Sequence, residues 1–176
     1  MMINSQILTI EPAQIFIKKI ELIIYLFAFC VPMLLHGQQM LVGPIVNALL
    51  FIVARKLSWQ KLWPVILLPS LAAIIQGVVV GPWTMFLIYL MPAIWLGNFS
   101  LVFIIKKFET TNLIARIALA SMLKAALIFV AAWVLVQLNL IPVALLPLMG
   151  MGQLLTALVG GGLAEASLQL INRDVK

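Results

Sequence analysis

Side chains that carry chemistry are scarce in this chain. Its 176 residues hold five Asp and Glu together, one His and one Cys, and charged residues make up 9%, against roughly 25% in soluble globular domains. Each scarcity excludes something. The single Cys30 rules out an intramolecular disulfide, a Cys-based zinc cluster and a CxxC redox pair, and within its apolar run it reads as a small buried hydrophobe. The single histidine, His36, falls in a polar gap between two apolar segments, so an intramembrane Ser/His protease would lack its base. Asp174 is the sole Asp, which excludes a paired-aspartate protease, and no HExxH or comparable ligand cluster occurs. No catalytic residue, metal ligand or cofactor site is expected, and an enzyme is disfavoured.

What is abundant is apolar. Hydrophobic residues make up 65% of the chain and the mean hydropathy is +1.21, the range of an integral membrane protein. The net charge of +6 does not point to nucleic acid, because no basic stripe is interleaved with aromatics. Orientation in a membrane and contact with anionic lipid explain it instead. The gaps between apolar segments are alternately basic and uncharged. Lys18 and Lys19 precede the first segment, Arg55, Lys56 and Lys61 fill the second gap, Lys106 and Lys107 open the fourth, with Arg116 close behind, and Arg173 and Lys176 end the sequence. The gaps at His36-Gly37-Gln38-Gln39, at Gly81-Pro82-Trp83 and from Gln137 to Pro142 carry no Lys or Arg. Basic residues beside spans are retained in the cytoplasm.

The pattern therefore predicts an all-α bundle of six transmembrane helices in one domain over residues 1–176, with both termini inside. The expected spans are about 20–35, 40–54, 62–80, 83–105, 113–136 and 147–170, after a cytoplasmic or interfacial segment over 1–19. Six spans of about 20 residues leave no room for a soluble domain. Lys18 and Lys19 before an apolar run resemble the start of a signal peptide. The run ends in His36-Gly37-Gln38-Gln39 rather than at a small-x-small site, so a retained first span is expected. The expected location is a cell membrane, of prokaryotic plasma-membrane type, with multiple passes.

Prolines and small residues punctuate the spans. Pro69 and Pro92 lie well inside theirs, where each removes a helical hydrogen bond and leaves carbonyls free, which suits a cavity or simply a packing kink. Gly150, Gly152, Gly160, Gly161 and Gly162 in the last span, and Ala115, Ala118, Ser121 and Ala125 in the fifth, mark surfaces for close helix contact.

Lys124 stands out among the polar residues. It lies about twelve residues into the fifth span, roughly 18 Å deep, where a lysine is costly and a functional candidate. A hydrogen-bonding role toward kinked backbone carbonyls, or a neutral, deprotonated amine, is the plainer alternative. Glu165 is the one acid within a span, near its cytoplasmic end, and an ion pair with Arg116 at similar depth is expected. Since no carboxylate reaches the bilayer middle, self-driven ion-coupled transport is disfavoured. The neutral polar set comprises Gln38, Gln39, Asn47, Gln76, Tyr89, Asn98, Gln153 and Thr156. Each residue could bond between helices. Together, several converging in an apolar outer half above Lys124 describe a small-molecule site. The expected binding residues are Lys124, Gln153, Gln76, Asn47 and Tyr89, with His36, Gln38 and Gln39 as a lid.

Six spans, a polar loop after the first and a Gly-rich last helix resemble the substrate-binding subunits (S-components) of energy-coupling factor transporters. The segments that carry the likeness are Leu41-Val42-Gly43-Pro44-Ile45-Val46-Asn47-Ala48 and Gln153 through Ala164. The resemblance implies vitamin or micronutrient uptake, ligand capture near the outer face, and energy from a membrane coupling protein with two cytoplasmic ATPases. The Ala-x-x-x-Ala contact motif of many members is absent from the first span, which offers Ala28 alone. A small neutral or anionic ligand is expected. The rival reading, from another class, is a non-transporting scaffold that resembles small cell-shape proteins of the rod complex.

Overall fold

The computed structural model describes residues 12–35, 39–78, 80–109 and 112–174. Helices account for nearly all of them, and no strand occurs among the described residues. Six α-helices follow one another: α1 (Pro12–Leu34), α2 (Gln39–Lys56), α3 (Trp59–Gln76), α4 (Leu87–Lys107), α5 (Leu113–Gln137) and α6 (Gln153–Asp174). A 3-10 segment, Gly81–Phe86, leads into α4, and a short 3-10 turn and a π-helical turn, Leu148–Gly152, lead into α6. Four helical stretches are long and apolar enough to cross a membrane: Gln39–Lys56, Gly81–Lys107, Leu113–Gln137 and Val143–Ile171. The other two are more polar at one end. Lys18, Lys19 and Glu21 lie in the first half of α1, and Gln60 and Lys61 open α3.

Each α-helix overlaps one expected segment, and the limits differ at several ends, two of them for evident physical reasons. α1 starts at Pro12, so residues 12–19 continue the first helix, while residues 1–11 lie outside the described residues. The third helix stops at Gln76, short of Val80, because Gly77 takes the left-handed conformation (φ 80°) and its N–H closes on the Ala73 carbonyl. Further on, Asn112 starts α5 by accepting hydrogen bonds from the amides of Ile114 (2.9 Å) and Ala115 (3.4 Å), which satisfies two of the donors a helix start leaves open.

The most extensive helix pairings are α2 with α6, α4 with α5, and α1 with α3. Glycine makes the first of these possible. A Cβ on Gly160 would lie 2.6 Å from Asn47 Cβ and 2.8 Å from both the Ala48 nitrogen and the Pro44 oxygen, so the two backbones nearly touch. Gly161 faces Ile117 and Phe51 as closely, and Gly43 on α2 faces Thr156 on α6. Such close approach supplies the dispersion that holds apolar helices together. Gly162, by contrast, faces open space. On α5 the expected small stripe is rotated in part: Ser121 and Ala125 are buried, whereas Ala115 is exposed, because the inward face runs through Arg116, Ala120, Lys124, Ile128 and Ala132.

One end of the bundle gathers the basic residues. Lys61 pairs with Glu21, joining α3 to α1, and Lys106 donates to the carbonyls of Ala54 (3.0 Å) and Leu57 (2.8 Å) at the end of α2. Glu165 meets Arg55 at 2.7 Å, not the expected Arg116. Arg116 instead turns along the start of its own helix and donates to the Phe108 carbonyl at 3.3 Å. Its Nε is buried without a partner.

The glycine contact yields a paired prediction. Gly160→Ala should lower stability by about 1–3 kcal/mol, because backbone atoms cannot move aside as a side chain can. Gly162→Ala should be neutral or stabilising by up to ~1 kcal/mol, since it gains helix propensity and meets nothing. Thermal unfolding of the two variants in detergent reads the difference, and equal effects would mean that α2 and α6 do not approach this closely.

Candidate functional site

Five helices turn polar or small side chains toward one point. On α4, Leu90, Asn98, Leu101 and Ile105 share the inward face, while Ile88, Tyr89 and Leu96 point out. On α2, Val42, Asn47, Leu50 and Ala54 face in, and on α5 Lys124 lies between buried Ala120 and Ile128. Helical spacing therefore turns Asn47, Asn98 and Lys124 inward.

There they form a network. Lys124 Nζ donates to Asn47 Oδ1 at 2.5 Å and to Asn98 Oδ1 at 2.7 Å. With both oxygens occupied, the two amides donate outward. Asn98 Nδ2 reaches the Ile66 carbonyl on α3 at 3.0 Å, and Asn47 Nδ2 reaches Thr156 Oγ1 on α6 at 3.4 Å. Thr156 in turn donates to the Gly152 carbonyl one turn back, at 2.8 Å. One lysine thus ties α2, α3, α4, α5 and α6 together. Asn98 takes its carbonyl beside Pro69, whose missing amide disturbs the helical ladder there. In the same turn Ser70 Oγ accepts from Trp95 Nε1 at 2.7 Å, locking α3 to α4.

The electrostatics are unusual. Lys124 is 3% exposed, and burying an ammonium costs several kcal/mol. Its two hydrogen bonds, at about 1.5–3 kcal/mol each for a charged partner, offset much of that. No carboxylate is near among the described residues. Glu21 pairs with Lys61, Glu165 pairs with Arg55, and Glu109 follows the end of α4 at the basic end. The lysine therefore has two amide oxygens, and no acidic group among the described residues, as its hydrogen-bond partners.

Beside it lies a cavity of about 100 Å³ in the half of the bundle away from the basic end. Its lining includes Lys124, Asn47, Asn98, Gln39, Gln153 and Ser70, among largely apolar walls. Of the expected binding residues, Lys124, Asn47, Gln39 and Gln153 are brought together here. His36 and Gln38 lie outside the described residues. Gln76 does not line the cavity: although its helical phase is inward, it ends α3, and its Oε1 accepts from the Val78 amide at 3.0 Å across the Gly77 turn. Tyr89 does not line it either, being 51% exposed on the outward stripe of α4.

Asn98, Ser70 and Thr156 join the expected residues at the site. For Asn98 the sequence carries a signal, since it shares the helical phase of Leu90 and Leu101. Ser70 has no signal in isolation, because its role follows from where Trp95 points.

A buried network has a recognisable mutational signature. Asn98→Leu should cost about 1–3 kcal/mol by leaving Lys124 and the Ile66 carbonyl short of partners. Adding Lys124→Met should cost less than the sum of the two single changes, because the second change removes the charge that the first left unsolvated. Unfolding of the two single variants and the double variant measures that coupling, and strict additivity would mean that the two side chains do not interact. Comparison with protein-family models, with curated proteins and with solved structures finds no match to this chain.

Proposed function

We propose that this chain is a membrane-embedded substrate-binding subunit of a micronutrient uptake transporter of the energy-coupling factor type. All six helices are taken to span the cell membrane, with the basic end and both termini in the cytoplasm, as charge retention favours. On that orientation the cavity belongs to the outer half, where a ligand is captured. The observation that carries the reading is a cavity beside a buried lysine with no carboxylate partner. A packing lysine needs no space beside it, whereas a binding lysine does.

A separate coupling protein with ATPases would supply the energy. The exposed Gly162 and Ala166, one helical turn apart on α6, offer a flat surface for such a partner in place of the Ala-x-x-x-Ala motif. The same surface supports the rival reading of a non-transporting scaffold. So does the cavity's size, which is below the roughly 300 Å³ common for drug-sized ligands.

Native mass spectrometry of gently purified protein, with Lys124→Met alongside, separates the two. The binding subunit should carry a defined small molecule that disappears in the variant. No bound molecule, together with unchanged stability of the variant, would remove Lys124 from any site and leave the scaffold.

A further inference from the structure

We infer that the cavity takes a small monocarboxylate bearing one neutral hydrogen-bond donor at its far end. This inference names the ligand class of the proposed binding subunit and rests on that reading.

The charge comes first. An anion beside a buried lysine favours its ammonium form, which has three N–H donors. Two go to Asn47 and Asn98, which leaves one for that anion. Lys124 is the single cationic side chain in the lining, so one negative charge balances the site. A dianion such as phosphate would bring a second charge into a low-dielectric interior with nothing to meet it.

The walls decide the body of the ligand. Val42, Val46, Ala73, Leu87, Ile94 and Met149 are apolar. They reward an apolar skeleton and give a hydrated halide nothing in exchange for its water. A carboxylate on a short carbon frame satisfies both the lysine and the walls.

The far end is set by Gln39. It lines the same cavity, and its Oε1 is buried without a hydrogen-bond partner. An unmet acceptor asks for a donor. No carboxylate lines the cavity to favour an ammonium there, so a hydroxyl or a neutral N–H fits.

Volume bounds the size. The cavity of about 100 Å³ holds roughly seven to ten water-sized groups at about 10–15 Å³ each. A hydroxy acid the size of 6-hydroxyhexanoate, with about nine non-hydrogen atoms, meets that bound.

The test is calorimetric titration of the full chain in lipid nanodiscs with 6-hydroxyhexanoate, hexanoate, 1,6-hexanediol and inorganic phosphate. The hydroxy acid should bind best. Hexanoate should be about tenfold weaker for want of one neutral hydrogen bond, and the diol and phosphate about 100-fold weaker for want of a matched charge. Gln39→Leu should bring the hydroxy acid down to the level of hexanoate and leave hexanoate unchanged, and Lys124→Met should abolish binding of both acids. The inference is overturned if the diol or phosphate binds as well as the hydroxy acid, if Gln39→Leu weakens both acids equally, or if no probe binds. The wild-type order and Gln39→Leu decide the matter even where Lys124→Met fails to fold. A neutral or polyanionic molecule co-purifying with the protein would sink the ligand class and leave the binding subunit standing. No co-purified molecule and no bound probe would remove both.

Discussion

The hydrogen bonds from Lys124 to Asn47 and Asn98 are the constraint around which the bundle is arranged. An amine this deep must be met by oxygen, and the interior offers it two amides instead of a carboxylate. Each amide then needs partners of its own, which it finds on α3 and α6. Five helices are fixed in rotation by that sequence of demands. A buried polar network is stabilising only when every member is satisfied, so the positions of Ile66 and Thr156 matter as much as that of the lysine.

Close packing makes the network possible. Asn47 reaches Thr156 because Gly160 lets the backbones of α2 and α6 meet. Gly97 plays a related part on α4, where an added Cβ would press on Ile128 and crowd the Lys124 stem at 3.3 Å. Glycine is costly in a helix interior, and here the cost is offset by contacts that a larger residue would forbid. The same approach leaves small space at the basic end, where Arg55, Arg116 and Glu165 surround only a narrow gap of about 10 Å³. Room for an occupant exists in the opposite half.

The two ends of the bundle therefore differ in kind. The basic end is closed by Lys61 on Glu21, by Arg55 on Glu165 and by Lys106 on two carbonyls. Aromatic rings add to that closure, with Trp63 stacked on Phe99 at 5.6 Å and Lys106 over Trp59 at 5.5 Å. Toward the other end the lining is half-buried, polar at Gln39 and Gln153, and incompletely bonded. The room beside Lys124 and the ion pairs thus lie in opposite halves of the bundle.

By itself the sequence determined the helical class, the approximate place of each helix, the gathering of basic residues at one end and the prominence of Lys124. Those features follow from local rules: apolar run length, charge in the gaps, and the expense of a mid-helix lysine. Helix phase made Asn98 legible too, and would have set Tyr89 outside the site. Only the tertiary structure decided which polar groups meet. Glu165 pairs with Arg55 across α2 and α6 because those helices touch there, Gln76 is taken by the turn after it, and Ser70 is recruited by Trp95. Partner choice of this kind depends on the rotation and separation of neighbouring helices. Those are set by glycine contacts spread across the whole chain, and no local stretch of sequence encodes them.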